Sequence, residues 1–405
     1  MGRCSVPAMR ITAVGLASTV LLACPSASQR DDSPPGSPEE ALTLPDALRF
    51  ADGRRVTSTQ DWPPRRAEIL DLFAAQVYGR APGRPSQLDF SVLEEDAQAM
   101  GGRATMRRVA ITSRHEGRVL VFELLRFAPH NGARSAAFLL LNHRPPRNTD
   151  KARATPTEFW PAEEIVARGY AAVAIQTSEL APDDAATYRE GAIRLFEGDA
   201  IDTRRPDAWK TIAAWSWGAS RALDYLETDP LVDATRVAVI GHSRGGKAAL
   251  WAGAQDQRFS LTISNESGCA GAAISRRPVG ETVAGVNLIF PHWFADNFRQ
   301  YDGKEETLPI DQHMLLGLLA PRAVVVGSAA DDEWSDPQGE FLGLAYASPV
   351  YALWGLAPID PATIPAPGSE LFVAPRGYHM RPGEHGLTAL DWQRYLDVGD
   401  RIWPR

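Results

Sequence analysis

Residues 237–250, VAVIGHSRGGKAAL, join a short apolar run to a glycine-rich turn and then to helix-forming residues. The run 237–240 predicts a strand buried on both faces, as in a parallel sheet, and residues 248–252 predict a helix. Between them, residues 241–245 have the pattern G-x-S-x-G, in which a strained strand-to-helix turn raises the serine hydroxyl above the sheet. The segment therefore predicts a nucleophile elbow with Ser243 as the nucleophile; the alternative is an ordinary glycine-rich turn.

The rest of the chain alternates predicted strands and helices. Strands are predicted at 103–113, 118–129, 136–142, 171–176, 261–264, 323–328 and 371–374, and helices at 62–78, 161–169, 207–228, 310–320, 337–354 and 387–398. Such alternation predicts a mostly parallel sheet covered on both faces. Because the first two of these strands suit an antiparallel edge, we expect the α/β-hydrolase fold, a three-layer sandwich with a mostly parallel central sheet.

The first 43 residues do not fit this fold. Arg3 and Arg10 precede the apolar run 11–23, which is too short to span a bilayer and is typical of a signal peptide. Residues 21–24, Leu-Leu-Ala-Cys, resemble a bacterial lipobox, in which Cys24 would carry lipid and become the N-terminus. We predict a signal peptide over 1–23, a disordered tether over 24–43 and a single catalytic domain over 44–405. The protein is expected to be exported, either as a periplasmic or outer-membrane lipoprotein anchored only through Cys24 or, after ordinary signal-peptide cleavage, as a secreted enzyme.

Charge and cysteine content exclude several classes of protein. The net charge of the chain is −8, and removing residues 1–23 would bring it to −10, because two arginines and no acids are lost. An acidic chain lacks the basic footprint of a nucleic-acid-binding protein. No CxxC or HExxH motif is present, so neither a metal nor another cofactor is expected. If Cys24 is lipidated, Cys269 has no disulfide partner and is expected to be a small buried hydrophobe. A monomer is expected.

The base that activates Ser243 is expected after the last predicted strand. In α/β-hydrolases the chain order is serine, acid, histidine, and active residues lie beyond the carboxyl ends of the strands. Of the eight histidines, only His379 and His385 follow the predicted strand 371–374. His385 lies in the polar loop RPGEHGLTALDW and is the favoured base, whereas His379 lies nearer to the strand. For either histidine, a surface or capping role is the alternative.

Two carboxylates compete as the acid that orients this base. Glu266 follows the strand after the elbow strand, and Asp332 follows one strand later, the more usual position in this fold. Asp331 and Asp336 compete with Asp332 locally in SAADDEWSDP, and a solvated acidic loop is the alternative role for Asp332. We expect that both Glu266 and Asp332 can reach the same imidazole, and the sequence leaves the choice between them open.

Six segments, taken in their order along the chain, carry a resemblance to a known protein family. They are GHSRGGKAALWAGAQDQRF, SNESGCAGAAISRR, GETVAGVNLIFPHWF, LPIDQHMLLGLLAPR, DDEWSDPQGEF and HMRPGEHGLTALDW. Together they resemble bacterial glucuronoyl esterases of carbohydrate esterase family 15, from about residue 44 to the C-terminus and most densely over 237–342 and 376–392. The resemblance implies one α/β-hydrolase domain that cleaves the ester joining 4-O-methyl-glucuronic acid on xylan to lignin alcohols.

The resemblance also implies roles in the reaction for five residues. Ser243 matches the nucleophile and His385 the base. Arg244 matches an arginine that stabilises the oxyanion through its backbone N–H and its side chain. Glu266 falls at the acid position of fungal members, and Asp332 falls at the alternative acid position of many bacterial members.

Three further residues match positions that contact the sugar. Lys247 matches a lysine that binds sugar hydroxyls, Glu281 a sugar-contacting glutamate, and Trp334 a tryptophan lining the uronate pocket. Lys247 is one helical turn beyond Ser243, so helical spacing places both side chains at the same pocket. An ordinary surface lysine and a core tryptophan are the alternatives.

The sequence thus predicts a serine esterase that acts on glucuronoyl esters of xylan and lignin through an acyl-enzyme. A different carbohydrate esterase, such as an acetyl esterase, is the second enzyme hypothesis. A catalytically inactive hydrolase homologue that binds glycan is the hypothesis without catalysis.

Overall fold

A ten-stranded mixed sheet forms the centre of the protein. The structure, a computed structural model, describes residues 42–199 and 205–403. The strands are β1 (Gln87–Gln98), β2 (Ala104–His115), β3 (Arg118–Pro129), β4 (Ser135–Asn142), β5 (Ala171–Gln176), β6 (Val232–His242), β7 (Leu261–Asn265), β8 (Ala323–Ala329), β9 (Glu370–Val373) and β10 (Arg376–Arg381). Their order across the sheet is β1-β2-β3-β5-β4-β6-β7-β8-β10-β9.

Antiparallel strands lie on both sides of a parallel central part of the sheet. β1, β2 and β3 pair antiparallel, and β3 also runs antiparallel to β5. From β5 through β4, β6, β7 and β8 to β10, every pairing is parallel, and β9 closes the edge antiparallel to β10. The predicted α/β-hydrolase fold, with its antiparallel start and mostly parallel body, is confirmed.

Helices cover both faces of this sheet. They are α1 (Trp62–Phe73), α2 (Ala99–Gly102), α3 (Ala162–Ala167), α4 (Ala192–Glu197), α5 (Thr211–Leu226), α6 (Arg244–Gln255), α7 (Val283–Ile289), α8 (Gln312–Gly317), α9 (Pro337–Tyr346), α10 (Ser348–Ala352) and α11 (Ala389–Ile402). Short 3₁₀ turns lie at Pro146–Thr149, Thr177–Glu179, Asp296–Tyr301, Glu305–Thr307 and Glu333–Ser335, and a π-helical turn at Ala74–Tyr78.

Two hydrophobic cores separate the three layers. Alternate side chains of β4 belong to different cores, Leu139 to the first and Phe138 to the second, because successive residues of a strand point to opposite faces. The first core contains residues of α1, α5 and α6, and the second contains residues of α3 and α11. Three tryptophans of the first core, Trp209, Trp215 and Trp217, are 2%, 0% and 4% exposed.

Several helix ends differ from the sequence predictions. The predicted helix 337–354 is two helices, α9 and α10, because Pro349 has no backbone N–H to continue the first of them. The predicted helix 387–398 begins at Ala389 and runs on to Ile402. Its start is fixed by a capping box, in which Thr388 and Asp391 each accept a hydrogen bond from the other's backbone N–H.

Two strands, β1 and β10, lie outside the sequence predictions. β1 is mostly exposed and has no apolar run. β10 has the sequence RGYHMR and is buried throughout despite its two arginines. The Arg376 guanidinium is accommodated there because its Nη1 donates a hydrogen bond to Ser348 Oγ at 2.8 Å, and Arg381 has partners in the site described below.

The predicted signal peptide over 1–23 and almost all of the tether over 24–43 lie outside the described residues, so they stay predictions. From Leu42 onward the chain forms one compact unit. In the part of the chain that the structure describes, no helix is both long enough and apolar enough to cross a membrane. Cys269 is buried with a free thiol, as expected.

Candidate active site

The turn between β6 and α6 holds Ser243 in a strained conformation. Its φ and ψ are 56° and −128°, a region that residues with a side chain rarely adopt. Its backbone N–H donates to the Asn265 carbonyl at 2.8 Å. A Cβ on residue 241 would lie 2.0 Å from the carbonyl oxygen of Gly245, so this close turn requires Gly241. The predicted context of the elbow, a strand before it and a helix after it, is confirmed.

His385 lies in the loop between β10 and α11, beside both predicted acids. Its Nδ1 is 2.7 Å from Asp332 Oδ2 and 3.2 Å from Glu266 Oε2. Its ring centroid lies 4.5 Å from that of His242, the residue before Ser243, which brings the base beside the elbow. Among the described residues, neither His385 Nε2 nor Ser243 Oγ has a hydrogen-bond partner, so both atoms are available for reaction.

The pKa values in this group differ from their ordinary values. Burial opposes protonation of His385, but its hydrogen bonds to Asp332 and Glu266 raise its pKa to about 9. Burial also opposes ionisation of Asp332, but hydrogen bonds from His385 and Ser335 lower the pKa of this carboxyl. The pKa of Glu266 is raised because burial outweighs its hydrogen bonds. Asp332 is therefore the more readily ionised of the two acids.

Arg381, at the end of β10, fixes Glu266 and the loop that carries His385. Its Nη2 lies 2.7 Å from Glu266 Oε1, 2.6 Å from the Glu384 carbonyl and 2.9 Å from the Gly386 carbonyl. Glu266 Oε2 in turn accepts a hydrogen bond from the Gly386 N–H at 2.7 Å. The loop thus folds around a buried guanidinium. Sequence reasoning missed Arg381, since nothing local distinguishes it from a surface arginine.

The alternative base, His379, is placed differently from the expectation that it follows the last strand. It lies within β10 and is 3% exposed, with Nε2 2.8 Å from Asp391 Oδ1. Asp391 Oδ2 accepts a hydrogen bond from Arg381 Nε at 3.0 Å. His379 therefore bonds the carboxylate that also holds Arg381, and the structure brings His385 to the elbow instead.

The competing acids Asp331 and Asp336 do not contact His385 in the described part of the chain. Asp331 is exposed. Asp336 caps α9 by accepting a hydrogen bond from the Gly339 N–H at 2.9 Å, and it pairs with Arg277 Nε at 2.9 Å. Of the acids considered from the sequence, the structure thus brings Glu266 and Asp332 to the imidazole.

Arg244 begins α6 directly after the nucleophile. Its backbone N–H has no hydrogen-bond partner among the described residues. Its Nη1 donates to Asp183 Oδ2 at 2.5 Å, and its Cζ lies 4.6 Å from the centroid of the Trp293 ring. Its Nε is buried without a partner. The backbone and side chain therefore offer unused donors beside Ser243, as an oxyanion site requires.

Asp183 holds this arginine in place together with two neighbours. The carboxylate also accepts hydrogen bonds from His292 Nε2 at 2.9 Å and from Trp293 Nε1 at 2.7 Å. Although burial opposes ionisation, these bonds and the charge of Arg244 lower the pKa of Asp183. Sequence reasoning did not single out Asp183; it precedes Arg244 by 61 residues, so no local spacing signals the contact.

Lys247 lies on α6 one turn beyond Ser243, as helical spacing predicts, but its ammonium is engaged by the protein. It is 2% exposed, and its Nζ donates to the carbonyls of Ser267 at 2.7 Å and Cys269 at 2.5 Å and to Glu281 Oε2 at 2.5 Å. Each of its three N–H donors thus has a protein acceptor. Since Oε1 of Glu281 has no partner in the described residues, Lys247 fixes a carboxylate with one oxygen unused.

Trp334 lies in the turn Glu333–Ser335 and is 50% exposed. The Glu281 N–H donates to the Trp334 carbonyl at 2.8 Å. A Cβ on residue 280 would lie 2.4 Å from the Glu333 carbonyl oxygen, and Gly280 has φ +64°. Only glycine permits this close approach, which holds Trp334 next to Glu281.

A second buried glutamate supports the loop after β7. Glu340 is fully buried and accepts hydrogen bonds from the N–H groups of Ser267 at 2.6 Å and Gly268 at 3.1 Å, and from Ser328 Oγ at 2.6 Å. Burial raises its pKa to about 8. Since Glu266, directly before Ser267, has a positive φ of 48°, these bonds stabilise the strained turn that presents the acid.

Nitrogens of His242 and His385 and a carboxylate oxygen of Glu266 lie within 4.8 Å of one another, as in a metal site. Each residue has a protein partner, however. His242 Nδ1 lies 2.7 Å from Asn265 Oδ1, and the other two residues bond as described above. The cluster is therefore accounted for as a hydrogen-bonded network around the base.

A serine on a strained strand-to-helix turn, an imidazole beside it and carboxylates at the far nitrogen form the arrangement of a serine hydrolase of the α/β-hydrolase fold. Comparison with known proteins shows which family of serine hydrolases the chain resembles. The family profile described as "Glucuronyl esterase, fungi" matches residues 163–355.

Relatives of known sequence and structure extend this match over most of the chain. The chain is 39% identical over 388 residues to "Carbohydrate esterase MZ0003" from an unknown prokaryotic organism, covering 88% of this chain and 89% of that protein. It is 27% identical over 365 residues to the "4-O-methyl-glucuronoyl methylesterase" of Schizophyllum commune, covering 86% and 83%. The solved glucuronoyl esterase of Solibacter usitatus is 40% identical and has a TM-score of 0.84, covering 90% of this chain and 98% of that one. The chain therefore belongs to the glucuronoyl esterase family, carbohydrate esterase family 15, a family of carboxylic ester hydrolases.

Proposed function

We propose that this protein hydrolyses the ester between 4-O-methyl-glucuronic acid side chains of xylan and lignin alcohols, through an acyl-enzyme on Ser243. The observation that carries the proposal is the position of His385, between the elbow and two buried carboxylates. The printed name of the Schizophyllum commune relative, a 4-O-methyl-glucuronoyl methylesterase, supports the uronate ester as the substrate.

In the first half of the reaction, His385 Nε2 takes the proton of the Ser243 hydroxyl while Oγ attacks the ester carbonyl carbon. The negative oxygen that forms accepts hydrogen bonds from the Arg244 backbone N–H and guanidinium. The imidazolium is stabilised at Nδ1 by Asp332 and Glu266. It then gives its proton to the alcohol oxygen as the ester C–O bond breaks, which releases the alcohol and leaves the acyl-enzyme.

In the second half, water takes the place of the alcohol. His385 Nε2 accepts a proton from the water as its oxygen attacks the acyl carbon, and the same Arg244 donors bind the new oxyanion. The proton then passes to Ser243 Oγ as the acyl bond breaks, and the uronate leaves as a free acid. No metal or other cofactor takes part in these steps.

The uronate ring is proposed to bind beside Glu281 and Trp334. The unused Oε1 of Glu281 can accept hydrogen bonds from sugar hydroxyls, and the half-exposed indole can pack against the sugar ring. Lys247 contributes by holding Glu281, because its own three donors are engaged by the protein.

We further propose export, with lipid on Cys24, in a protein that acts as a monomer. The support for lipidation is the sequence Leu-Leu-Ala-Cys after a short apolar run. Intact-mass analysis of membrane-extracted protein tests it. A chain that begins beyond Cys24 without lipid contradicts the anchor and leaves a secreted or periplasmic enzyme.

The substrate proposal is tested by measuring kcat/KM on benzyl glucuronate and on 4-nitrophenyl acetate. The account predicts a clear preference for the uronate ester, since only that substrate engages Glu281 and Trp334. A preference for the acetate points to another carbohydrate esterase. A protein inert towards both esters and towards a fluorophosphonate label points to a glycan-binding homologue without catalysis.

A further inference from the structure

A second histidine lies beside the base, and the reaction proposed above does not use it. His242 is the last residue of β6 and directly precedes Ser243. It is completely buried, and its ring centroid lies 4.5 Å from that of His385, at an interplanar angle of 43°. It also packs against the rings of His143 and Phe159, whose centroids are both 5.9 Å away. A buried ring next to the nucleophile is thus in contact with the ring of the base.

Both ring nitrogens of His242 have protein partners. Arg144 Nη2 lies 3.4 Å from Nε2, and because a guanidinium has only donors, Nε2 accepts this long hydrogen bond. The ring N–H is therefore on Nδ1, which donates to Asn265 Oδ1 at 2.7 Å. The Asn265 amide donates in turn to Tyr395 Oη at 2.9 Å. These bonds hold the ring in one tautomer and leave neither nitrogen free to accept the Ser243 proton, so His242 is not a second base.

The ring of His242 stays neutral beside the base. Burial and the nearby charge of His385 lower its pKa to about 3, although the hydrogen bond to Asn265 opposes this shift. When His385 takes the Ser243 proton, the ring that it contacts is therefore uncharged and does not repel the imidazolium. A cationic side chain at this position would repel it.

The hydrogen bonds of His385 fix one edge of its ring. Asp332 and Glu266 both lie at Nδ1, and contacts at a single atom still permit the ring to turn about that atom. The side chain is 32% exposed, so its neighbours cover only part of it. A misplacement of about 1 Å between reacting groups can cost on the order of 10²-fold in rate. The contact with His242 restrains the ring itself rather than Nδ1.

We propose that His242 is a positioning residue for the base: its ring packs against that of His385 and keeps Nε2 directed at Ser243 Oγ. The proposal rests on the proposed function, since it takes His385 as the base. Asn265 connects the parts, because its side chain bonds the His242 ring and its carbonyl accepts a hydrogen bond from the Ser243 N–H at 2.8 Å. His242 and Ser243 are thus both held by one residue at the end of β7.

The test separates the ring of His242 from its hydrogen bond. His242→Asn keeps a donor close to the position of Nδ1 and removes most of the ring, whereas His242→Phe keeps a ring and removes both nitrogens. We expect His242→Asn to lower kcat on benzyl glucuronate about 10- to 100-fold and to leave KM within about twofold, because the base is misplaced while binding is retained. His242→Phe should keep kcat within about threefold of the wild-type value. His242→Gln, which also lacks the ring, should behave like His242→Asn and is a second variant in case the first does not fold.

His313→Asn is the matched control. His313 is also a buried histidine, 4% exposed, and its Nε2 bonds the Pro45 carbonyl at 2.9 Å. The substitution removes a buried imidazole from α8 without touching the base, so kcat should equal that of the wild type. Melting temperatures are measured for every variant, and the kinetics are run at a temperature at which all are folded. A kcat of His313→Asn as low as that of His242→Asn would show a general loss of packing and would overturn the proposal.

The other outcomes also decide the role of His242. A wild-type kcat in His242→Asn, or a loss that appears only in KM, overturns the positioning role. An equal loss of kcat in His242→Phe and His242→Asn assigns the effect to the hydrogen bond with Asn265 instead of the ring, and overturns it as well.

The same variants on 4-nitrophenyl acetate distinguish this proposal from the proposed function, because every ester needs the base. If the wild-type protein cleaves only the acetate, the uronate substrate is wrong, while the loss in His242→Asn and its recovery in His242→Phe are still expected on the acetate. If the wild-type protein cleaves neither ester, both proposals fail.

Discussion

Nη2 of Arg381 lies 2.7 Å from Oε1 of Glu266, and both groups are buried. The charge of Glu266 is therefore shared with a permanent cation, whereas the only cationic group that Asp332 contacts in the described part of the chain is His385. Two carboxylates at one imidazole thus differ in what they can contribute. Asp332 directs its charge to the imidazolium that forms during the reaction, and Glu266 with Arg381 mainly fixes the position of the loop.

We expect Asp332→Asn to reduce kcat on benzyl glucuronate by about 10²- to 10⁴-fold, since loss of an orienting acid has effects of this order. Glu266→Gln should reduce it about tenfold, because the amide oxygen can still bond Arg381. Steady-state kinetics of both single variants and the double variant test the difference. A single variant as inactive as the double variant contradicts a shared role and identifies the sole acid.

The pH dependence of kcat/KM reports the state of His385. The base must be neutral to accept the Ser243 proton, and its pKa is raised to about 9 by the two carboxylates, so activity should rise with pH towards that value. Asp332→Asn removes a hydrogen bond that favours the imidazolium, so the acidic limb should move to lower pH while the plateau falls. Initial rates corrected for spontaneous ester hydrolysis provide the measurement. A limb that stays in place or moves to higher pH is inconsistent with this coupling.

Loss of Asp183 should lower kcat/KM to a similar extent on every ester. Asp183→Ala frees the guanidinium of Arg244, which binds the oxyanion common to all substrates. We expect kcat/KM to fall about 10- to 100-fold on both benzyl glucuronate and 4-nitrophenyl acetate, less than the loss of a direct oxyanion donor. Asp184→Ala is the control, since Asp184 is exposed and does not contact Arg244. A loss confined to the glucuronate ester would place Asp183 in sugar binding instead.

Glu340 should make stability depend on pH. Its folded pKa of about 8 lies above its ordinary value of 4.5 because the carboxyl is buried. Between these values the folded state holds a proton that the unfolded state has released, so the free energy of unfolding falls as pH rises through this window. In Glu340→Gln the amide replaces the protonated carboxyl, and this part of the dependence should disappear. Thermal unfolding of both proteins across the window is the measurement, and parallel curves would show that Glu340 does not titrate there.

The parts of the fold predictable from sequence are those with a local signal. β4, β8 and residues 237–240 of β6 are short apolar runs. The G-x-S-x-G pattern fixes the turn at Ser243 because sterics allow few other residues there. β1 is mostly exposed, and its alternation of apolar and polar residues covers only 88–92 of its twelve residues, so its sequence signal is weak. β10 is polar in sequence yet buried, because its charged residues find partners far along the chain, such as Glu266 for Arg381. No reasoning from neighbouring residues can supply those partners.

The residues of the site fall into the same two groups, those with a local sequence signal and those without one. The order of serine, acids and histidine along the chain is enough to propose Ser243, Glu266, Asp332 and His385. The groups that hold them, Arg381, Asp183 and Glu340, have no signature of their own, because their roles come from contacts across the fold. Lys247 has a position that the sequence predicts but contacts that it does not. Helical spacing correctly places it one turn from Ser243, but its burial against three oxygens depends on the loop after β7.

The most direct test of the central claim is the turnover of benzyl glucuronate by Ser243→Ala beside the wild-type protein. The account predicts that the wild type cleaves this ester and that the variant, with an unchanged circular dichroism spectrum and melting temperature, loses about 10⁴-fold or more in kcat/KM. A folded Ser243→Ala protein that keeps its activity on benzyl glucuronate would contradict the assignment of the elbow serine as the nucleophile.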